Sequence, residues 1–423
     1  MLTLKGIALR IFLIFALLWL SGCESDNPVG DRNKITGTVY DEGGFPISGL
    51  NVNIGNHQPF YLTQADGKFT FDNSEYPYDI IVGNLILYKN LNSKNLKLTA
   101  NFHVNRNLKI LHIDVPKIFK KNEVQLVKFL SNEINYNFIS TDPFFEKSLF
   151  VYYPLFNSMI NGKIVFLSYL TDTFGEVISY EHYGAKDITI TDFSPDTIKF
   201  SESELSFDPP ECDVILNLEY PGTDYYYTSV YLNFKNYNYF PWFYLMGFAD
   251  KNTSKHLFKQ PVLDESIDIR TTSYRRLSEA GSLPGEYTIQ NYFDLCEGNS
   301  IVIPEVSFLR YPENYQIDVG RNTDFIFEKD KQDCVYKLSI SLDSSYNYRY
   351  PITVYTSENR VNFGELIDYG FFVPSLTLHF WNVTKYTGYN SIDEFTNNPP
   401  FENNLVAEII TSPRREFMTG SLK

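Results

Sequence analysis

Two stretches near the start of the chain decide its fold: residues 35–56, ITGTVYDEGGFPISGLNVNIGN, and residues 63–71, TQADGKFTF. In both, apolar side chains alternate with polar ones, as they do in half-buried β-strands. Asp66 and Gly67 lie between two such runs, and glycine takes the positive φ that a tight turn needs. The pattern therefore predicts strands joined by turns.

An acidic residue beside a glycine is also found in calcium-binding loops. Such a loop needs several oxygen ligands at fixed spacing, including a distal glutamate. Asp66 instead has Gln64 before it and Lys68 after it, and a lysine ammonium group opposes cation binding. We interpret the Asp66–Gly67 pair as a turn and expect no metal ligand here.

The same residues resemble the carboxypeptidase regulatory-like domain. In that family, a G-x-V-x-D-x-x-G-x-P-x-x-G-x-x-V run is followed by a T-x-x-D-G-x-F strand. The matching positions are Gly37, Val39, Asp41, Gly44, Pro46, Gly49, Val52, Thr63, Asp66, Gly67 and Phe69. The resemblance implies a small transthyretin-like β-sandwich over residues 34–101, and an accessory module that is not catalytic by itself.

The amino terminus has the pattern of a secretory signal. Lys5 and Arg10 precede an apolar run, residues 11–20, that is too short to span a bilayer as a helix. Residues 20–23, LSGC, resemble the bacterial lipoprotein lipobox, which implies cleavage after residue 22 and acylation of Cys23. Two or more fatty chains anchor a protein stably. The alternative is an ordinary signal peptide with a chance cysteine.

Residues 23–33 are polar and form a predicted tether between this anchor and the folded chain. Glu24 and Asp26, directly behind the anchor, resemble a surface-export signal of some bacterial groups. We expect a cell-envelope protein that is held in the outer membrane through lipidated Cys23. Whether it faces the periplasm or the cell surface stays open.

Charge narrows the class of partner. The chain has 36 basic and 51 acidic residues and a net charge of −15, which becomes −17 when residues 1–22 are removed with Lys5 and Arg10. Such a surface repels nucleic acid phosphates and anionic headgroups. We expect no nucleic acid partner, and membrane attachment through lipid and not through a basic patch.

Composition and strand spacing predict an all-β fold of tandem β-sandwich domains. Apolar residues make up 43% of the chain, enough for a sizeable core, and 32 Tyr and 35 Phe favour strands. After the first sandwich we predict a β-rich middle region over residues 102–300, as one domain or two. Within it, residues 122–136 fit a strand better than a helix.

The last predicted unit covers residues 301–423 and resembles a fibronectin type III or immunoglobulin-like sandwich. Trp381, Val383, Phe417 and Thr419 fit its late strands, whereas His379 occupies the position of the family's corner tyrosine. Alternation in residues 376–383 puts His379 on the face of Trp381. We therefore predict that both side chains are buried and that His379 is structural.

One aromatic stretch, residues 224–248, permits two interpretations. Exposed aromatic residues at Tyr227, Tyr231 and Trp242 would form a surface that binds protein or glycan. The alternative is a half-exposed strand with cross-strand aromatic pairs. On that interpretation Thr228, Val230, Leu232 and Phe234 face the core, and Tyr227, Ser229, Tyr231, Asn233 and Lys235 face outward.

Motifs for catalysis were not found. The six histidines form no H-E-x-x-H pair, and the chain lacks a G-x-S-x-G elbow and a phosphate-binding glycine loop. We predict no catalytic residue, no metal site and no cofactor. Beyond Cys23, the cysteines Cys212, Cys296 and Cys334 are odd in number, so at least one is unpaired within the chain, and their pairing stays open.

Two functions follow from these observations. The first is a lipid-anchored, non-catalytic envelope or cell-surface protein that acts as a binding or scaffold module. The second is a hydrolase of extracellular polymers with its site in the middle region. A cleft with convergent carboxylates or histidines would favour the hydrolase.

Overall fold

The computed structural model describes residues 34–41, 43–55, 60–72, 75–102, 106–116, 120, 123–133, 135–139, 148–155, 157–173, 176–219, 225–237, 242–251, 254–276, 284–292, 299–302, 309–329, 333–342, 351–400, 409–412 and 414–422. The predicted signal peptide, the tether and Cys23 lie outside these residues. Within them, no helix is both long and apolar enough to cross a membrane.

The strands of the first predicted unit are β1 Lys34–Tyr40, β2 Asn51–Ile54, β3 Tyr61–Leu62, β4 Lys68–Asp72, β5 Tyr78–Val82, β6 Ile86–Leu91 and β7 Asn95–Thr99. Those of the middle region are β8 Arg106–Asp114, β9 Glu123–Leu130, β10 Tyr136–Ile139, β11 Ser148–Pro154, β12 Met159–Thr171, β13 Val177–Thr191, β14 Thr197–Lys199, β15 Ser206–Phe207, β16 Glu211–Glu219, β17 Tyr225–Phe234, β18 Trp242–Lys251, β19 Ser254–Pro261, β20 Ile267–Arg276, β21 Pro284–Tyr292 and β22 Asn299–Val302. The remaining elements are β23 Leu309–Tyr311, β24 Gln316–Val319, β25 Asp324–Phe327, β26 Cys334–Leu342, β27 Ile352–Thr356, β28 Arg360–Asn362, α1 Phe363–Asp368, β29 Leu378–Thr387, α2 Ile392–Asn397, β30 Ile409–Thr411 and β31 Arg415–Thr419. The predicted all-β class is confirmed.

The first unit is a β-sandwich. Its smaller sheet has the order β4-β1-β7, and the facing sheet includes β3-β2-β5-β6. Apolar side chains from both sheets fill the space between them, among them Ile35, Phe71 and Val52. The predicted β-sandwich is confirmed; the resemblance to the carboxypeptidase regulatory-like family and the bounds at residues 34 and 101 stay predictions.

The Asp66–Gly67 pair is a turn, as predicted. Gly67 has a φ of 76°, and its amide donates to the Gln64 carbonyl at 2.9 Å. The Lys68 ammonium forms an ion pair with the Asp66 carboxylate at 2.6 Å, so the charge of this carboxylate is already balanced within the turn. The turn joins β3 and β4, which belong to different sheets, so it carries the chain across the sandwich and does not close a hairpin of paired strands.

Asp41 and Thr63 fix the loops between the strands of this sandwich through side-chain hydrogen bonds. The Asp41 carboxylate accepts from the amides of Gly43 at 2.9 Å and Phe45 at 2.8 Å, and it forms an ion pair with Arg106 of β8. Thr63 is buried, and its hydroxyl donates to the Ile47 carbonyl at 2.6 Å. Burial raises the pKa of Asp41, against the lowering effects of its amide donors and Arg106.

The middle region is built from stacked sheets. The sheet β15-β13-β12-β9 covers the sheet β10-β11-β8-β14, with one apolar core between them. The opposite face of β12 and β13 contributes to a second core with strands β16 to β20. Residues 123–130 form a strand, as predicted. Residues 177–191 form one long strand, β13.

The last unit packs around Trp381, which is 1% exposed. Its ring meets Phe325 edge to face, with centroids 5.1 Å apart. His379 is also buried and stacks on Phe417, with centroids 5.1 Å apart. The predictions that Trp381 lies in the core and that His379 is buried are confirmed.

One 14-stranded sheet runs through all three predicted units. Its main path is β18-β17-β20-β21-β30-β29-β26-β27-β6-β5-β2-β3. β6 of the first sandwich pairs in parallel with β27 of the last unit, and β21 pairs with β30. The boundaries at residues 101 and 300 stay predictions, but the described strands on either side of them are joined by backbone hydrogen bonds.

Side chains reinforce the junction between the first and last units. The Asp393 carboxylate accepts from the amides of Asn92 at 2.8 Å and Ser93 at 2.7 Å. Lys89 forms an ion pair with Glu365 at 2.8 Å. The first and last units are therefore joined by side-chain bonds as well as by the backbone pairing of β6 and β27.

The structure also narrows the cysteine pairing. Cys212 is in a disulfide, and Cys334 is a buried thiol outside any disulfide. The partner of Cys212 therefore lies outside the described residues, and its identity stays open. A disulfide is consistent with the oxidising compartment that the signal sequence predicts.

Candidate binding face on the aromatic sheet

Strands β17 and β18 place the predicted aromatic residues at one end of the long sheet. β17 lies between β18 and β20. Thr228, Val230, Leu232 and Phe234 are buried on the inner face, as the alternation predicted. β18 is the last strand of this sheet in the described part of the chain, so the outer face of the pair lies at the end of the sheet.

Three tyrosines come together on this outer face and form what we call the tyrosine platform: Tyr227, Tyr231 and Tyr244. The hydroxyls of Tyr227 and Tyr244 are 3.1 Å apart and hydrogen-bonded. The rings of Tyr231 and Tyr244 meet edge to face, with centroids 5.7 Å apart. Tyr244 is 47% exposed, so an aromatic ring is open to solvent at the centre of the group.

Gly247 leaves room for the platform. A Cβ atom at this position would lie 2.1 Å from the Tyr227 hydroxyl oxygen and 2.9 Å from the Tyr244 hydroxyl oxygen. Any other residue at position 247 would therefore displace the hydroxyl pair. The glycine allows the Tyr227 side chain to reach across β18, which brings the two phenols together.

Tyr244 is uncharged near neutral pH. Burial raises the pKa of Tyr244 well above its ordinary value, and the hydrogen bond with Tyr227 raises it further. A neutral phenol presents an apolar ring and a hydroxyl that both donates and accepts. Such a surface suits ligands with both apolar patches and hydroxyls or amides, which are proteins and glycans.

The predicted site residues have different outcomes. Tyr227 and Tyr231 belong to the platform, and Trp242 begins β18 but its side chain lies outside the described residues. Ser229 and Asn233, predicted to face outward, are 8% and 4% exposed. The outer face is therefore partly covered; the Asn233 amide, for example, donates to the Asp268 carboxylate at 2.7 Å.

Sequence reasoning missed Tyr244. A β-bulge between Val230 and Tyr231 shifts the register so that Tyr231 faces Tyr244. The only sequence signal was a run of aromatic residues on both strands. Cross-strand aromatic pairs were predicted in general, and the Tyr231–Tyr244 contact confirms that interpretation of the strand. The binding role of the surface stays a prediction.

A buried cluster in the middle region contains the residue types of a hydrolytic triad. His182 Nδ1 lies 2.8 Å from the Glu123 carboxylate and 3.0 Å from the Ser168 hydroxyl. The Ser168 hydroxyl also donates to Glu123. In a catalytic triad, the histidine contacts the serine nucleophile through one ring nitrogen and the carboxylate through the other. Here both partners share one nitrogen and all three side chains are buried, so the arrangement does not activate Ser168.

Metal binding has no candidate within the described ranges. No group of three or more histidine, cysteine, aspartate or glutamate residues there could hold an ion. Asp66 is paired with Lys68, as described above. The described residues therefore supply no donor set from which a metal-dependent reaction can be derived.

Comparisons with known proteins do not identify a family for this chain. No protein-family model matches the chain, and no curated protein matches it. Among solved structures, a streptococcal ancillary pilin is similar at 12% identity and a TM-score of 0.15, covering 67% of this chain and 93% of the pilin. BcpA, the major pilin subunit of Bacillus cereus, is similar at 9% identity and a TM-score of 0.14, covering 64% and 98%. At these TM-scores neither likeness bears on the function.

Proposed function

We propose that this chain is a lipid-anchored, non-catalytic protein of the bacterial cell envelope that acts as a scaffold and presents the tyrosine platform to a protein or glycan. The observation that carries the proposal is the continuous sheet from β3 to β18. A backbone-bonded sheet fixes the distance and orientation between the first sandwich and the platform. A module that holds a binding surface away from the membrane needs that property.

The chemistry of the platform supports the binding part of the proposal. Tyrosine loses little conformational freedom on binding because it has two side-chain torsions, and it is enriched at binding hot spots. The hydroxyl pair of Tyr227 and Tyr244 already fixes two of the three rings. Rings that are already fixed lose less conformational entropy when a ligand binds than rings that are mobile in the free protein.

The binding test uses the purified full chain on arrays of envelope proteins and bacterial glycans. Tyr244→Ser removes the most exposed ring of the platform and should weaken binding at least tenfold, since a hot-spot aromatic contributes roughly 2 kcal/mol or more. Tyr315→Asn is the matched control, because Tyr315 is 70% exposed on the last unit and asparagine tolerates its positive φ. Equal binding by both variants and the native chain would refute a role for the platform.

The hydrolase alternative has its own test. The full chain is incubated with envelope polysaccharides, and new reducing ends are counted. No activity is expected, because the histidine and serine of the buried cluster do not form a working pair. Turnover that is lost in Glu123→Gln would reverse this conclusion and place a site at the cluster.

A further inference from the structure

A polar cleft of about 560 Å³ lies in the middle region, and none of the platform tyrosines lines it. Its walls come from the connection between β9 and β10, the start of β12, the end of β13 and Tyr237, which follows β17. Volumes of this size are typical of small-ligand sites. The cleft is therefore large enough for one or two sugar units.

One wall of the cleft is fixed by its own hydrogen bonds. The Glu133 carboxylate accepts from the Asn161 amide nitrogen at 2.8 Å and from its side-chain nitrogen at 3.2 Å. The Asn161 side-chain oxygen accepts from the Thr189 hydroxyl at 2.7 Å. Ser131 donates to the Asn161 carbonyl at 2.6 Å. These side chains are held in place before any ligand arrives.

Two polar groups on the cleft are left over from this network. Asp187 lies directly opposite Lys163 in the β12–β13 register, but Lys163 forms its ion pair with Glu265 instead. Among the described contacts, neither the Asp187 carboxylate nor the Asn132 side chain takes part in a hydrogen bond, and both residues are exposed. An exposed carboxylate and an exposed amide are good partners for neighbouring hydroxyl groups of a ligand.

Tyr237 adds an aromatic wall. Its ring packs against the apolar core behind the cleft and is only partly buried, so part of it remains accessible. Burial, with the nearby Glu265 carboxylate, raises the pKa of Tyr237, and the phenol is neutral. A flat, neutral ring beside hydrogen-bonding groups fits the C–H face of a pyranose.

We propose that this cleft is a binding site for a neutral glycan, with Asp187 and Asn132 hydrogen-bonding to sugar hydroxyls and the Tyr237 ring stacking on the sugar. The charge balance selects against acidic ligands, because the cleft is lined by the carboxylates of Glu133 and Asp187 and by one ammonium, that of Lys163, which is already paired with Glu265. Phosphates and uronic acids would be repelled. The inference rests on the proposed binding function of the chain, but on none of the platform residues.

The test is ligand-observed saturation-transfer NMR with the purified full chain and three probes: maltohexaose, mannohexaose and galactohexaose, with oligogalacturonate as the acidic comparator. At least one neutral probe should bind, and oligogalacturonate should not. Asp187→Ala should weaken binding of that probe at least tenfold. Tyr237→Leu, which keeps an apolar side chain against the core, should do the same.

Control variants separate this site from the platform. Asp72→Asn removes an exposed carboxylate from the first sandwich and should leave binding unchanged; Tyr244→Ser is compared as the platform variant. Absence of binding by all three neutral probes would overturn the proposal, and so would equal binding by the Asp187→Ala chain and the native chain. Loss of binding in Tyr244→Ser alone would assign the glycan to the platform. It would overturn the cleft proposal while supporting the proposed function.

Discussion

Tyr88 and Tyr355 stack almost parallel, with ring centroids 4.6 Å apart and an interplanar angle of 8°, although they lie in the first and last predicted units of the chain. They are also directly opposite each other in the parallel pairing of β6 and β27. Both are buried in the same apolar core as Val39 and Phe71. The first sandwich thus completes its core with residues from the far end of the chain.

Because of this shared core, Tyr355→Ala should destabilise both units at once. Deleting a large buried aromatic ring costs about 3–5 kcal/mol, and we expect a single unfolding transition at lower denaturant. Hydrogen exchange should show lost protection in β1 to β7 as well as in β26 and β27. Tyr355→Phe keeps the ring and is the control. Lost protection confined to the last unit would show that the two cores are independent.

The turn at Asp66 and Gly67 makes a second prediction. Gly67→Val should destabilise the chain by roughly 1–3 kcal/mol, the usual cost of a non-glycine residue at positive φ, and by more if the new Cβ cannot avoid the Val39 carbonyl oxygen 2.8 Å away. Asp66→Asn should change the melting temperature little. Both variants are melted with and without calcium. A calcium-dependent rise that vanishes in Asp66→Asn would mean that the turn is a metal site.

Anchoring is tested at Cys23. Cys23→Ser removes the thiol that a lipobox acylates, and the protein should then move from the membrane to the soluble fraction. Cys334→Ser is the matched control, since this buried thiol belongs to no disulfide. Native and variant chains are compared by detergent partitioning and by mass spectrometry for acyl groups. A Cys23→Ser chain that still partitions with membranes would contradict the predicted lipobox.

The strands β1, β17 and β29 could be predicted from the sequence alone. Each has one face towards the core, so apolar and polar side chains alternate along it, and this alternation is visible in the sequence. The parallel contact between β6 and β27 could not be predicted in this way. Residues 86–89 are all buried, and the first three, Ile86, Leu87 and Tyr88, form an apolar run without alternation. Nothing in such a run tells which distant strand will cover its edge.

The binding face was only partly predictable for a related reason. Tyr227 and Tyr231 follow from alternation along β17, but their pairing with Tyr244 depends on a bulge that has no sequence signature here. The polar cleft was missed entirely. Its lining residues come from four segments that are brought together only by the packing of the sheets.

Lys128 gives a prediction about pH. It is buried and its ammonium donates to the Asn137 carbonyl at 3.1 Å. Burial lowers its pKa from 10.5 to about 8. The unfolded chain therefore binds the proton more tightly, so the cost of folding with a charged Lys128 is complete below pH 8 and disappears as the pH rises to 10.5. That shift corresponds to about 3 kcal/mol.

Lys128→Met should therefore stabilise the protein at pH 7 by roughly 2 kcal/mol, after allowance of about 1 kcal/mol for the lost hydrogen bond. The gain should shrink between pH 8 and 10. Urea unfolding at several pH values measures it, with Lys68→Met as the exposed control, which should have little effect. A Lys128→Met chain that is less stable than the native chain at pH 7 would show that the buried ammonium is well compensated.

His379 should make the last unit sensitive to acid. Its ring is stacked on Phe417, and burial lowers its pKa, an effect that the long contact to the Pro374 carbonyl at 3.5 Å only partly opposes. The unfolded chain, with a histidine pKa of about 6.5, then binds a proton more readily than the folded one. Stability from this residue is present above pH 6.5 and is lost as the pH falls below it.

His379→Tyr cannot titrate in this range and keeps an aromatic ring against Phe417, so its stability should fall less than that of the native chain between pH 7 and 5. We expect the variant to fold at pH 7, because a tyrosine ring can stack on Phe417 as the imidazole does. Urea midpoints at pH 7, 6 and 5 are compared for the two chains, with His256→Tyr as a histidine control outside this core. Parallel loss of stability in the native and His379→Tyr chains would show that His379 does not set the acid sensitivity.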